Sequence, residues 1–143
     1  MYLKKVRPEV VTMTWSLHHM AHEEQFRYLQ MIFASLPPEA NVILLEDSFA
    51  ETLPPENGKE RAKKFFEWDA RERKTIMSVF DWVANRVLGQ RLNEPIPFTF
   101  RTLEGWSQIC QQVGFRIVRQ RFIGFPEARD INTPQSLLVL RKE

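Results

Sequence analysis

The three histidines of this 143-residue chain, His18, His19 and His22, all fall in one short stretch. Two kinds of chemistry suit such a cluster. His18 and His22 stand one helical turn apart, a spacing that can bring two imidazoles to one metal ion. A zinc site needs a third ligand, though. The neighbouring carboxylates, Glu23 and Glu24, belong to a helix face that reads as solvated, and Cys110 is remote in sequence, so no metal is expected. The other chemistry is proton transfer, with His18 or His19 as a general base at the carboxyl end of a strand, where open α/β sheets hold their ligands. The plainer alternative is a histidine pair that packs and hydrogen-bonds around its loop.

Trp15 and Ser16 occupy the same strand end. A large aromatic there either faces a pocket or closes a helix–sheet interface as a buried core residue. Glu46 and Asp47 end the next strand. Asp47 either orients a hydroxyl or amine of a bound ligand or caps the loop at Ser48. Phe65, Phe66, Trp68, Phe98, Phe100 and Trp106 make a dense aromatic set, most of it expected in the core with one or two rings facing a pocket. Arg101 either meets an anionic ligand or lies at the surface. Cys110 shares a helix face with Trp106 and Val113 and reads as packing, not as a nucleophile.

The elements that must position these groups are legible from periodicity. Val10 to Trp15 is rich in β-branched residues and reads as a buried strand. From about His22 the period becomes helical, with Phe26, Leu29, Phe33 and Leu36 on one face, and Pro37 and Pro38 stop the helix. Val42 to Leu45 is a continuous apolar run of the kind covered on both faces. Strand, helix and strand at this spacing predict a right-handed crossover and a parallel pair. Thr52 to Gly58 is a loop. Lys59 to Leu88 reads as one or two helices, the second with Ile76, Val79, Phe80, Val83 and Val87 on a single face and Gly89 at its end. Gln90 to Phe100, with Pro95 and Pro97, is an extended arm. Thr102 caps a helix lined by Trp106, Ile109, Cys110 and Val113 and closed by Gly114. Phe115 to Ile123 and Ser136 to Leu140 form a final antiparallel pair. The order implies a single α/β domain over residues 1–143, with a mostly parallel sheet, an antiparallel ending and a helical insert and arm over 52–100.

Composition bounds the rest. With 43% hydrophobic and 27% charged residues the chain is an ordinary globular domain, large enough for a core. The 20 basic and 18 acidic residues nearly balance, and Lys4, Lys5 and Arg7 are too short a tract to imply nucleic acid. No apolar run approaches a membrane span, and no stretch near Met1 has a signal-peptide pattern. One cysteine permits no intrachain disulfide, so a cytoplasmic location is expected.

Certain words in this order resemble the class I S-adenosylmethionine-dependent methyltransferase family, from its fourth strand to its end. Val10-Val11-Thr12-Met13-Thr14-Trp15-Ser16-Leu17-His18-His19 looks like the fourth strand and the leucine-histidine-histidine element after it. Leu36 to Asp47 is similar to the next crossover, a leucine-proline turn and an apolar strand with an acidic end. Gly114-Phe115-Arg116-Ile117-Val118 and Ser136-Leu137-Leu138-Val139-Leu140-Arg141-Lys142 look like the last two strands. The resemblance covers nearly the whole chain. It implies a partial Rossmann-like methyltransferase sheet of about four strands, the last antiparallel. It also implies S-adenosylmethionine as cofactor, with Trp15 and Ser16 beside its methionine part and sulfonium, and a small-molecule acceptor. By the same resemblance the insert is a substrate lid, which makes Trp68 and Phe98 candidate substrate contacts beside Asp47 and Arg101.

Two departures accompany it. Pro37-Pro38-Glu39-Ala40 stands where the family has proline-glycine-glycine. More seriously, the glycine-rich loop and the ribose-binding acid of the family have no counterpart: Gly58, Gly89, Gly105, Gly114 and Gly124 are scattered, with no G-x-G. Set against an ordinary domain of this kind, the resemblance leads one to expect roughly a hundred further residues upstream. The chain alone is therefore expected to bind cofactor poorly and to transfer no methyl group. The alternative expectation is a noncatalytic module on half the fold, whose exposed first strand pairs with its own copy, a homodimer, or with a separate amino-terminal half.

Overall fold

Four strands, β1 (Val10–Thr14), β2 (Asn41–Asp47), β3 (Phe115–Gly124) and β4 (Gln135–Lys142), form one sheet in the order β1-β2-β4-β3. This computed structural model describes residues 2–49, 64–93, 95–125 and 133–143. The expected loop Thr52 to Gly58, the start of the helical insert at Lys59, and Pro126 in the last turn lie outside them. β1 and β2 are parallel, Val10 facing Asn41 and Thr14 facing Leu45. β4 is antiparallel to both its neighbours. β1, β2 and β3 thus share one direction and β4 alone is reversed, which is the partial Rossmann-like sheet with its last strand antiparallel; because β4 inserts between β2 and β3, only the β1–β2 pair is parallel and the pairing is mostly antiparallel, not mostly parallel as expected.

The helices are α1 (Tyr2–Val6), α2 (His22–Ser35), α3 (Ala70–Trp82), which continues as a π-helical segment Val83–Leu88, and α4 (Leu103–Val113). α2 starts where Glu24 turns back to accept the Ala21 N–H (2.9 Å). It ends at Leu36, before the prolines. α2 and α4 cover one sheet face, where Leu29, Ile32, Trp106, Ile109 and Cys110 pack on Val42, Leu44, Leu138 and Leu140. Each such leucine or isoleucine contributes about 1.5–3 kcal/mol by leaving water. Ile43, Leu45, Leu137 and Val139, on the opposite face, are only half-buried. The apolar run of β2 therefore does not mean burial on both sides among the described residues.

α4 matches its signals closely. Thr102 Oγ1 accepts the Gly105 N–H at 3.0 Å, and Gly114 ends the helix at φ 112°. A Cβ at Gly114 would stand 3.1 Å from Phe33 Cζ. Gly114→Ala is accordingly expected to lower the unfolding free energy by about 1 kcal/mol or more, read as a fall in urea midpoint at constant slope.

Two more expectations need correction. β1 is not a buried strand: it lies at the sheet edge and only Met13 is buried. The core face of α3 is also not its apolar one. Val79 and Val87 are 54% exposed and Phe80 40%, whereas Arg73, Met77, Asp81 and Asn85 are buried. The reason is what lies opposite. Met77 packs into a small second core with Phe49, Phe65 and Phe125, Arg73 lies over the Phe49 and Phe66 rings, and Asp81, held by Asn85, faces His18 and His19. Apolar periodicity locates a core face only when the neighbour is apolar too.

Candidate functional site at the carboxyl ends of the strands

β1 closes with the Trp15 N–H on the Leu45 carbonyl (2.9 Å), and the chain then turns sharply through Trp15 at φ 47°. A non-glycine residue in this region is held there by its surroundings. The holding group is Glu46, which is fully buried. Its Oε1 accepts the backbone N–H of Ser16 and of Leu17, both at 2.8 Å. Its Oε2 accepts the Nδ1–H of His18 at 2.8 Å. A short 3₁₀ turn, Leu17–His19, results. Gln25 and Thr99 brace it from outside, Gln25 Nε2 donating to the Leu17 carbonyl (3.0 Å) and Thr99 Oγ1 to that of His18 (3.0 Å).

With Nδ1 committed, His18 presents Nε2 to two more carboxylates, 3.6 Å from Asp81 Oδ1 and 3.9 Å from Asp47 Oδ2. His19 Nε2 is 3.9 Å from the same Asp81 oxygen. The two imidazoles lie side by side, centroids 4.2 Å apart, and Phe100 stacks on His18 at 5.7 Å. Asp47 Oδ1 accepts from Thr133 Oγ1 (2.9 Å) and Gln135 Nε2 (3.4 Å), so it is tied to the start of β4 and does not cap the loop at Ser48. Asp81 Oδ1 accepts from Asn85 Nδ2 at 2.8 Å.

These groups sit at the edge of a cavity of about 720 Å³. Strand ends supply Thr14, Trp15 and Asp47, and α3 with its π-helical continuation supplies Phe80, Asp81 and Leu88. The position is the carboxyl edge of a parallel pair, the usual ligand side of open α/β sheets. Burial alone would push the His18 imidazole down, but the carboxylates of Asp81, Glu46 and Asp47 outweigh it and raise it from 6.5 to about 10. Burial raises the Asp47 carboxyl from 3.8 to about 6, against the opposing pull of His18 and Thr133.

The structure brings together Trp15, Ser16, His18, His19 and Asp47 and separates the remaining candidates. Trp15 is 44% exposed on the cavity wall, so it does not close a helix–sheet interface. His22 lies apart from His18 and lines a second groove with Arg101, of about 470 Å³. Arg101 donates from Nε to Gln25 Oε1 (2.6 Å) and stacks over Trp106, away from the histidine pair. Trp68 and Phe98, both substantially exposed, do not line the cavity either. Burial raises the Cys110 thiol to about 12, in keeping with a packing role.

Three residues of the site had no assigned role in the sequence. In the sequence Glu46 reads only as a strand end, and Asp81 and Asn85 only as members of the insert helix. The available signal is the four-residue spacing of Arg73, Met77, Asp81 and Asn85, a buried stripe with three polar members that the louder apolar face obscures.

No family model matches the sequence, and no curated protein matches it. Solved structures do. A SAM-dependent methyltransferase from Methanosarcina mazei is similar with TM-score 0.55 and 14% identity, over 95% of this chain and 59% of that one. PigF, solved with SAH, gives TM-score 0.52 and 18% identity over 94% of this chain and 34% of its own. Human N-acetylserotonin methyltransferase in complex with SAM gives 0.51 and 12% over 95% and 30%. The chain thus has the fold of part of a class I methyltransferase and spans less than two thirds of each of these proteins. Among the described residues, no helix is long and apolar enough to cross a membrane.

Proposed function

We propose that this chain forms the acceptor side of a methyltransferase site that uses S-adenosylmethionine and a small-molecule acceptor, in a cytoplasmic protein. The observation that carries the reading is the cavity at the ends of β1 and β2, with a polar floor of His18, His19, Asp47 and Asp81 between the apolar walls of Trp15, Phe80 and Leu88. Solved neighbours of this fold hold SAM or SAH.

The residues present suit the cofactor in part. An exposed tryptophan held at a strand end offers an aromatic face to a sulfonium, and Ser16 stands beside it. For the adenosine and ribose there is no matching glycine-rich backbone: Gly89 is the cavity-lining glycine among the described residues, and it closes the π-helical turn through the Ala84 carbonyl (2.8 Å). Binding to the chain alone is therefore weak. When bound, the cofactor supplies an activated methyl group, and what the protein adds is positioning and exclusion of water. Trp15 and Ser16 flank the donor end. Phe80 and Leu88 hold an apolar acceptor body, while Asp47, anchored by Thr133 and Gln135, orients its hydroxyl or amine. The histidine pair forms the polar floor below it. Trp68, Phe98 and Arg101 are not among the residues lining this cavity.

A second reading is a noncatalytic dimerising module. It is favoured by β1, which has no second strand neighbour among the described residues, and by the exposed Val79, Trp82 and Leu88. One titration separates the two. Amide resonances followed with millimolar S-adenosylhomocysteine are expected to shift at Trp15 to His19 and at Asp47, with weak affinity. Shifts confined to the Arg101 groove would refute the methyltransferase reading. Tight binding would refute the idea that the chain alone is cofactor-deficient, and a sedimenting dimer without shifts would favour the module.

A further inference from the structure

We infer that His18, His19 and Asp81 form a binding site for one divalent transition-metal ion; Asp47 Oδ2 lies 3.9 Å from His18 Nε2 beside it. The sequence offers no such set, because Asp81 arrives from the insert helix. The inference concerns these side chains alone and stands whether or not a cofactor binds.

The first support is convergence. One ligand atom from each of the three residues lies within 4.8 Å of the others. The Asp81 oxygen is 3.6 Å from His18 Nε2 and 3.9 Å from His19 Nε2, both too long for hydrogen bonds. A tetrahedral site with bonds near 2.0–2.1 Å has ligand–ligand edges of about 3.3 Å. The two Asp81 edges exceed that by about 0.3 and 0.6 Å, and the edge between the histidines is under 4.8 Å, so an ion would have to draw the three side chains together.

The second support is the preparation of two of the ligands, His18 and Asp81. His18 donates Nδ1–H to the buried Glu46 at 2.8 Å, and this leaves Nε2 as the face turned to Asp81 and Asp47. A carboxylate behind the distal nitrogen is the usual means of fixing a metal-binding imidazole. Asp81 is 5% exposed, and its Oδ2 is buried without a hydrogen-bond partner among the described residues. Such an atom costs about 1–3 kcal/mol unless something pairs with it. The π-helical turn that follows, a feature concentrated at functional sites, puts Asn85 where its Nδ2 holds the Asp81 carboxylate at 2.8 Å.

The donor set defines the class of ion. Two imidazoles and one or two carboxylates suit zinc, iron, cobalt, nickel or manganese better than calcium, which takes six to eight oxygens. Coordination positions left over face the cavity, so the ion would take a further oxygen or nitrogen ligand from there.

The test is titration of the chelator-treated chain with Co²⁺ alone, followed by visible absorption. One equivalent is expected to give bands of a four- or five-coordinate site. Asp81→Asn and His19→Ala should each weaken binding about 10-fold or more, whereas His22→Ala, in the other groove, should leave it unchanged. His19 is only partly buried, so H19A keeps the test if D81N fails to fold. Zn²⁺ should shift the His18 and His19 ring nitrogens and not those of His22. Absence of stoichiometric binding, or binding that survives both site variants, would overturn the assignment.

Discussion

Glu46→Ala is expected to lose about 3–5 kcal/mol of stability, the scale for breaking a buried ion pair by deleting one partner. This carboxylate has no solvent exposure and accepts two backbone N–H groups and one imidazole N–H. Its removal orphans all three donors in a place water does not reach, and each unpaired buried donor costs about 1–3 kcal/mol. Domains of this size hold roughly 5–15 kcal/mol in total, so the variant should sit near its folding threshold. Glu46→Gln keeps an acceptor oxygen for the Ser16 and Leu17 amides but turns an NH₂ toward His18, and about half the loss is expected. Urea denaturation followed by tryptophan fluorescence reads both. A Glu46→Ala midpoint equivalent to less than about 1 kcal/mol of loss would mean that the turn at Trp15 is not held from β2.

Stability should also fall as the pH rises above neutrality. His18 is raised from 6.5 to about 10 in the folded protein, so between those values the folded state binds the proton that the unfolded chain has released. Its stabilisation is complete below pH 6.5 and is lost as pH climbs to about 10, at about 1 kcal/mol per pH unit where the slope is steepest. Asp47 acts with the same sign lower down. Its value rises from 3.8 to about 6, so the folded state holds that proton longer and loses stability across that window as pH increases. The measurement is the urea midpoint from pH 6 to 10 with a chelator present, so that no metal competes with the proton on His18. Asp81→Asn should flatten the alkaline limb by withdrawing one of the groups that raise His18. A wild-type profile flat from pH 6.5 to 9.5 would show that the imidazole is not held charged by its carboxylates.

The two experiments address one arrangement. The turn after β1 is fastened from the next strand, and the imidazole at its centre is shared among acids from β2 and α3. The side of this cluster open to the cavity is where the proposed ligand would meet the protein, so E46A and D81N should separate folding from binding. The first undoes the scaffold. The second alters the surface that the scaffold presents.

Much of the frame could be read in advance because its signals are local. Thr102 and Gly114 bracket α4, Pro37 closes α2, and Trp106, Ile109 and Cys110 fall on one helical face; each depends on a few neighbouring residues. The parallel pairing of β1 and β2 follows from the crossover spacing, and the reversed β4 from the run into it. Less was legible at the site. Trp15 stands open because β1 is an edge strand, and Arg101 is turned away by Gln25 and Trp106.

What the amino-acid order determined alone was the succession of elements, their caps and the strand ends at which chemistry would gather. What only the tertiary structure decided was the company kept there. Glu46 binds a turn that lies 28 to 30 residues before it, and Asp81 reaches the histidines from a helix whose apolar side faces outward. Periodicity records which face of an element is apolar. Distant carboxylates converging on one imidazole are set by packing and desolvation, which leave no local trace in the chain.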